Sequence, residues 1–303
     1  MRQVHEAVCA VVVTHNRKEM LRRCLVAVTD QRRRPERVLV VDNASTDGTR
    51  ELLKLEFPAV DVLSLPVNEG GAGGFHEGIK RAHASGAEWL WLMDDDTIPT
   101  PDALAELLEA SARLAAAGPL DGVGAPAVLA SRVVWRDGSI HPMNYPILER
   151  RRMELVVAAA EHGLAPIRSA TFVSLLLHRR MVERYGLPLK HFFLWADDIE
   201  YTSRIVLGGE GAYFVPASVA LHDTAAPENF RTAGPDRFYY HVRNTLFMAR
   251  ARERPARDRL LRLWILASTV SAYVVKNRNR ASVTAVWRAL RDGVRGGPSA
   301  RTR

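Results

Sequence analysis

The sequence predicts an α/β fold: a mainly parallel central sheet flanked by helices, followed by a basic helical region. Three observations predict it. The first is a βαβα opening, with apolar strands at residues 8–14 and 37–41 each followed by a helical segment, the alternation that builds parallel sheets with right-handed crossovers. The second is the run from Trp89 to Met93, continuously apolar as a strand buried on both faces must be, which ends abruptly in Asp94, Asp95 and Asp96. The third is that polar groups gather after each of these strands, where open parallel sheets place their ligand sites.

Val8 to Thr14 forms the first strand, with His15, Asn16 and Arg17 at its carboxyl end and a helix from Lys18 to Thr29. Arg37 to Val41 forms the second, ending in the turn Asp42 to Thr49 that starts a helix over Glu51 to Leu55. A third strand, Asp61 to Leu65, leads to Asn68-Glu-Gly70-Gly71-Ala-Gly73-Gly74-Phe75 and a helix through Ala84. Glycines so concentrated allow close backbone approach and offer N–H groups to an anion at a helix start, while a purely structural turn is the competing reading. The run is not a Rossmann fingerprint, which opens on the first strand. The strand ending at Asp94 is the fourth. Three carboxylates at one strand end repel one another unless a divalent metal or a cationic ligand neutralises them. Asp96 or Thr97 would alternatively cap the helix that begins near Pro101 and runs to Ala117.

Gly118 to Pro126 is rich in glycine and proline, Trp135 to Ile140 has the look of a hairpin, and the region to Glu161 is irregular. Residues 168–177 read as one strand. His191 to Tyr201 then brings a second acidic cluster, Asp197, Asp198 and Glu200, before the helix that carries Arg204. Asp197 and Glu200 have capping-box spacing, and a cap that fixes one carboxylate leaves its neighbour to face a cleft. A strand at Ala212 to Val215 leads to His222 and Asp223, and Arg237 to Asn244 opens a basic, aromatic helical tail.

At 303 residues and 47% hydrophobic, the chain can bury one large core, or one core plus a helical appendage. Cys9 and Cys24 are too few for a disulfide scaffold or a cysteine-rich zinc site, which makes a reducing cytoplasm the simplest setting. No apolar run reaches the length of a membrane span, and the N-terminus leads into a strand rather than a signal peptide. The net charge of +8 is uneven: residues 231–303 hold 17 Lys and Arg against 4 Asp and Glu, a net of +13, which leaves −5 for the residues before them. Nucleic acid, an anionic membrane and an acidic substrate would each account for such a tail. Within it, Leu263 to Val275 is almost wholly apolar between Arg257, Arg259 and Arg262 on one side and Lys276, Arg278 and Arg280 on the other. A helix of that length spans roughly 20 Å, short of the ~30 Å hydrocarbon core, so it is either buried or interfacial, and basic flanks favour the interface.

The ordered set Thr14-His-Asn-Arg17, Val41-Asp42-Asn-Ala-Ser-Thr-Asp47, Asn68 with its glycine run, Asp94-Asp-Asp96, Asp197-Asp198-Ile-Glu200 and His222 resembles the family-2 glycosyltransferases, inverting enzymes of GT-A fold that use nucleotide sugars. The resemblance spans roughly Val8 to Asp223. Within that family, Asn68-x-Gly-Gly-Ala-Gly-Gly-Phe75, Trp195-x-Asp-Asp-x-Glu-Tyr201 and the 24-residue step from Asp198 to His222 look like the galactofuranosyltransferases that initiate actinobacterial cell-wall galactan. The resemblance implies a GT-A domain over residues 1–230, while charge and composition make 231–292 a basic membrane-associating or acceptor region and 293–303 a disordered tail. It implies UDP-galactofuranose as donor and a polyprenyl-diphosphate-linked GlcNAc-rhamnose as acceptor. The enzyme would work in the cytoplasm, peripherally on the inner face of the plasma membrane, with Mn²⁺ or Mg²⁺ and without nucleic acid; no oligomeric state is implied.

By the same resemblance Asp42, Arg17 and Asn68 hold the uridine, while Thr14, Gly70, Gly71, Gly73 and Gly74 lie against the donor. Asp95 faces its ribose or sugar. Asp94, Asp96 and His222 bind the metal, and a histidine ligand argues mildly for Mn²⁺. Asp198 is the general base; Trp195, Asp197 and Glu200 orient the acceptor, and His241 and Arg243 contact phosphate. Core packing is the alternative role for Trp195, and helix capping for Asp197. Rhamnosyltransferases using dTDP-rhamnose share much of this pattern. A non-catalytic membrane- or nucleic-acid-binding protein on a degenerate scaffold would lack metal ligands or base. A nucleotidyltransferase would need a glycine-rich, lysine-containing loop where Thr14 to Arg17 stands.

Overall fold

The computed structural model describes residues 7–226, 233–251 and 254–296. The chain divides into two units, residues 1–191 with 198–227, and residues 192–197 with 228–303.

In the first unit β1 (Val8–Thr14), β2 (Arg37–Asp42), β3 (Asp61–Ser64) and β4 (Trp89–Asp94) are parallel, in the order β3-β2-β1-β4. Their registers align the carboxyl ends: Thr14 lies opposite Asp42, Asp42 opposite Ser64, and Val13 opposite Asp94. The central strands β1 and β4 are covered on both faces, which is why they read as unbroken apolar runs; the edge strand β3 is largely exposed. Helix α1 (Lys18–Thr29) buries Leu21, Cys24, Leu25 and Val28 in the cluster on one face, and α3 (Gly70–Ala84) buries Phe75 and Ile79 in the cluster on the other. Both cysteines are free, buried thiols.

Past β4 the sheet becomes mixed. β9 (Leu175–His178) runs antiparallel to β4 and to β6 (Pro126–Val134), and β6 is parallel to β10 (Gly211–His222). β10 pairs antiparallel with β5 (Thr97–Pro99) and β8 (Ala165–Ser169), and β8 with β7 (Ile147–Leu148). Several elements depart from the sequence reading. A central strand, β6, follows directly on the glycine- and proline-rich passage. Its inward Ser131 is tolerated because it joins a buried chain in which Trp91 Nε1 donates to Ser174 Oγ (3.1 Å), the Ser131 hydroxyl lies 2.7 Å from those of Ser174 and Ser218, and Ser218 donates to the Ala103 carbonyl. The run 168–177 is broken into β8 and β9, with Ser174 at φ 53°. Helix α5 (Met153–Glu161) occupies part of the irregular region, and β10 continues past Val215 through a register shift to His222.

The glycine run is the first turn of α3 rather than a loop before it. Gly70 sits at φ 71°, and a Cβ on Gly74 would stand 2.4 Å from Cγ1 of Val13 in β1. A Cβ on Gly73 would likewise collide with Glu69, whereas one on Gly71 would meet nothing within 4 Å. The helix therefore needs Gly74 to lie close on the sheet, and Gly71 alone among these has room for a side chain.

The second unit consists of α8 (Pro235–Arg250), α9 (Ala256–Asn277) and α10 (Arg280–Arg295) around Phe238, Val242, Leu246, Leu266, Tyr273 and Val286. Phe238 and Tyr273 stack with ring centroids 3.6 Å apart. Residues 293–295, expected to be disordered, complete α10 and Gly296 caps it; residues 297–303 of that expected tail lie outside the described residues, as does the expected 230/231 boundary. Among the described residues no helix is long and apolar enough to cross a membrane.

Candidate active site

Four strand ends and one antiparallel pairing build the acidic edge of the first unit. Because His222 in β10 pairs with Thr97 in β5, it is delivered beside Asp96, and Asp223 donates its amide to the Asp96 carbonyl at 2.8 Å. His222 Nε2 lies 3.1 Å from Asp96 Oδ1 as its ion-pair partner, and that buried oxygen has no other partner. A buried carboxylate oxygen whose sole partner is an imidazole nitrogen is a donor set that suits a divalent cation. The fit is that of a pair rather than a cage. Among the described residues no group of three His, Cys, Asp or Glu side chains could hold a metal by itself, and Asp94, half-buried at the end of β4, does not complete one with Asp96 and His222.

Arg17 supplies positive charge to the same edge. Its Nη1 lies 2.5 Å from Asp96 Oδ2 and 3.3 Å from Asp95 Oδ1. Asp95 is buried and also accepts the Thr14 hydroxyl at 2.7 Å. Burial pushes the Asp95 carboxyl up to about 6, against the opposing pull of Arg17 and the Thr14 hydroxyl. Thr14 and Arg17, expected at the donor, are thus turned onto Asp95 and Asp96. Asp42 is buried, accepting Arg50 Nε at 2.9 Å and the Ser45 amide at 2.9 Å. Asn68 accepts the Gly70 amide in a tight turn, which is its structural role.

Asp198 stands in the first turn of α7 (Asp197–Leu207), half-buried, with its Oδ1 accepting the Ile199 amide at 2.6 Å. Thr202 ties that turn down, donating to the Asp198 and Ala170 carbonyls. Burial, countered only by backbone amides, pushes the Asp198 carboxyl up to about 6. A carboxylate tuned toward neutrality is suited to accept a proton. Glu200 is buried and paired with Arg204 at 3.1 Å, one helical turn on.

In the second unit Phe193, Trp195 and Ala196 all have positive φ (61°, 66° and 67°), a backbone that non-glycine residues hold only when over-determined. The buried Asn244 over-determines it: its Nδ2 lies within 3.0 Å of the Phe192, Leu194 and Trp195 carbonyls. Arg243 donates to the Phe192 carbonyl and lies over the rings of Tyr239, Tyr240 and Phe247. Burial lowers His241 to about 4, so it is neutral at pH 7. Both residues expected at phosphate are therefore packed into the helical unit, and Asp197 is buried where this segment enters α7.

The sequence reading missed several residues around these groups. Asn43 brackets the start of α3 by accepting the Glu69 amide and donating to the Gly70 carbonyl. Asp223 is buried between Arg23 and Arg136. Asn144 faces His222. Asn43 and Asp223 adjoin quoted motifs and were within reach of the sequence; Asn144 lies in the irregular stretch and carried no signal.

Comparison with known proteins bears directly on this edge. Residues 9–170 match the family model for glycosyl transferase family 2. The chain belongs to that family. This family-2 glycosyltransferase is 33% identical over 214 residues to galactofuranosyltransferase GlfT1 of Mycolicibacterium smegmatis, a match covering 67% of each chain. It is 25% identical over 240 residues to the N-acetylglucosaminyl-diphospho-decaprenol L-rhamnosyltransferase of Mycobacterium tuberculosis, covering 71% of this chain and 75% of the relative. Among solved structures, S. aureus TarS superposes with a TM-score of 0.64 at 14% identity, covering 97% of this chain and 49% of TarS. The mannosyltransferase PcManGT of Pyrobaculum calidifontis, solved with GDP-Man and Mn²⁺, gives a TM-score of 0.53 at 18% identity over 94% of this chain and 80% of its own. The fold of this family-2 glycosyltransferase is accordingly GT-A.

Proposed function

We propose that this glycosyltransferase moves galactofuranose from UDP-galactofuranose to a rhamnosyl-GlcNAc-diphosphate-polyprenol, with inversion and with a divalent metal. The observation that carries the metal-nucleotide half is the buried Asp96 Oδ1, paired at 3.1 Å with His222 Nε2 and with nothing else at the carboxyl edge of the sheet. The higher identity to a galactofuranosyltransferase than to a rhamnosyltransferase supports the sugar. Bound there, Mn²⁺ or Mg²⁺ would offset the negative charge that develops on departing UDP. Asp96 and His222 would hold the cation, with Asp94 at the same strand end, and Arg17 would then be free to face the donor. Asp42 and Asn68 lie on the uridine side, with the open Gly71 against the donor. Asp198 takes the proton of the attacking acceptor hydroxyl, and Asp197 and Glu200 supply acceptors for neighbouring hydroxyls.

The second unit is the membrane-facing part in this proposal. Along α9, Leu260, Trp264 and Val275 share an exposed stripe opposite the buried Leu266, Thr269 and Tyr273, and Trp287 of α10 is equally exposed. Arg257, Lys276 and Arg278 are exposed beside it, the pairing of apolar and basic groups that an anionic lipid surface receives. The donor assignment is tested by incubating the protein and Mn²⁺ with a synthetic lipid-linked rhamnosyl acceptor and each sugar nucleotide in turn. Transfer from UDP-galactofuranose is expected; transfer from dTDP-rhamnose alone would move the enzyme to the rhamnosyltransferases.

A further inference from the structure

Asn144 is buried at the end of a short 3₁₀ turn (Pro142–Asn144) and has no part in the chemistry above. Its backbone amide donates to the His141 carbonyl at 3.0 Å, and its Nδ2 donates to Thr171 Oγ1 at 2.8 Å. With Nδ2 so occupied, the amide presents Oδ1 to His222 Nδ1, at 2.8 Å. An amide oxygen can only accept, so Nδ1 must carry the proton in that contact. A neutral imidazole has one N–H; fixing it on Nδ1 leaves Nε2 with a lone pair. Nε2 is the nitrogen paired with Asp96 Oδ1 at 3.1 Å, where a cation would be shared between the two. The ring is further held by His141, which packs on it with centroids 4.6 Å apart and whose own Nε2 meets Thr224 Oγ1 at 3.0 Å.

We propose that Asn144 is a positioning residue that holds the His222 proton on Nδ1 and so keeps the Nε2 lone pair aimed at the cation shared with Asp96. The role rests on Asp96 and His222 being metal ligands. Partners of this kind behind a ligating histidine set its tautomer and orientation, and their loss typically weakens metal binding about 10- to 100-fold.

Two readouts test it on the full chain, neither of them activity. The first is the His222 tautomer, from long-range ¹⁵N–¹H spectra in alkaline buffer with UDP and the diamagnetic Mg²⁺ present, so that a cation rather than an Nε2 proton would engage Asp96. The second is Mn²⁺ affinity in the presence of UDP, by calorimetry. The wild type is expected to show Nδ1–H and to bind Mn²⁺. Asn144→Asp, which still accepts from Nδ1–H, keeps both properties. Asn144→Leu shifts His222 to Nε2–H and weakens Mn²⁺ about 10- to 100-fold. An Nε2–H wild type with Mg²⁺ and UDP bound would overturn the proposal without any variant. Unchanged Mn²⁺ affinity in a folded Asn144→Leu would overturn it while leaving the metal reading intact. A wild type that binds neither Mn²⁺ nor Mg²⁺ in the presence of UDP would remove the metal reading, and this role with it.

Discussion

Asp198→Asn is expected to lose transfer by about 100- to 10,000-fold, the range for deleting a general base, while still binding UDP and melting at a higher temperature than the wild type. The gain in stability follows from the carboxyl's position. Burial raises it to about 6 in the folded chain, against about 3.9 when unfolded. A carboxyl raised in this way costs nothing below its unfolded value. The cost grows as pH climbs from about 4 to about 6 and levels off above that window. Asparagine removes the charge and with it the cost. The variant should therefore be more stable than the wild type near pH 7.5 and nearly equal to it near pH 4. Thermal melts at the two pH values, with a UDP titration and a transfer assay, check all three parts. A variant that keeps full transfer, or that is less stable at both pH values, contradicts the role. The same shift predicts that wild-type kcat/KM falls as pH drops below about 6.

The second large effect is at the membrane. Wild-type protein should co-sediment with vesicles of anionic lipid and much less with neutral ones, and salt should weaken the binding. Replacing both Trp264 and Trp287, each 69% exposed, with glutamate should lower the partition coefficient by at least about 100-fold, since each indole forfeits roughly 2 kcal/mol of apolar burial and gains a repelled charge. Their exposure means the helical unit loses no core contact, so its circular dichroism and melting temperature should hold. Equal sedimentation of variant and wild type would leave the exposed stripe without a lipid role.

The parts of the fold that could be read in advance were those where burial is simple. β1 and β4 are covered on both faces, so their sequences are unbroken apolar runs, and their carboxyl ends announce themselves with Arg17 and Asp94 to Asp96. β6 was not legible, because its start follows glycine and proline and its interior holds Ser131, whose hydroxyl is satisfied only by Ser174 and Ser218, far away in sequence. The glycine run was legible as important but not for its full reason. Gly73 and Gly74 are required by contacts with Glu69 and Val13, and only the three-dimensional packing separates them from the open Gly71. The pairing of His222 with Thr97 explains why the distant histidine belongs with the acidic strand end. Asn144 had no periodicity, motif or charge to mark it; its meaning is entirely the position of one amide oxygen.

The central claim is that Asp198 and the Asp96–His222 pair together run an inverting, metal-dependent transfer. It is tested most directly by the anomeric configuration of the product formed from UDP-α-galactofuranose labelled with ¹³C at the anomeric carbon, on a synthetic rhamnosyl lipid acceptor, with and without chelator. A β-galactofuranosyl product is expected by NMR, formed with Mn²⁺ and absent after exhaustive metal removal. An α-linked product, or undiminished transfer from metal-free protein, would contradict the claim.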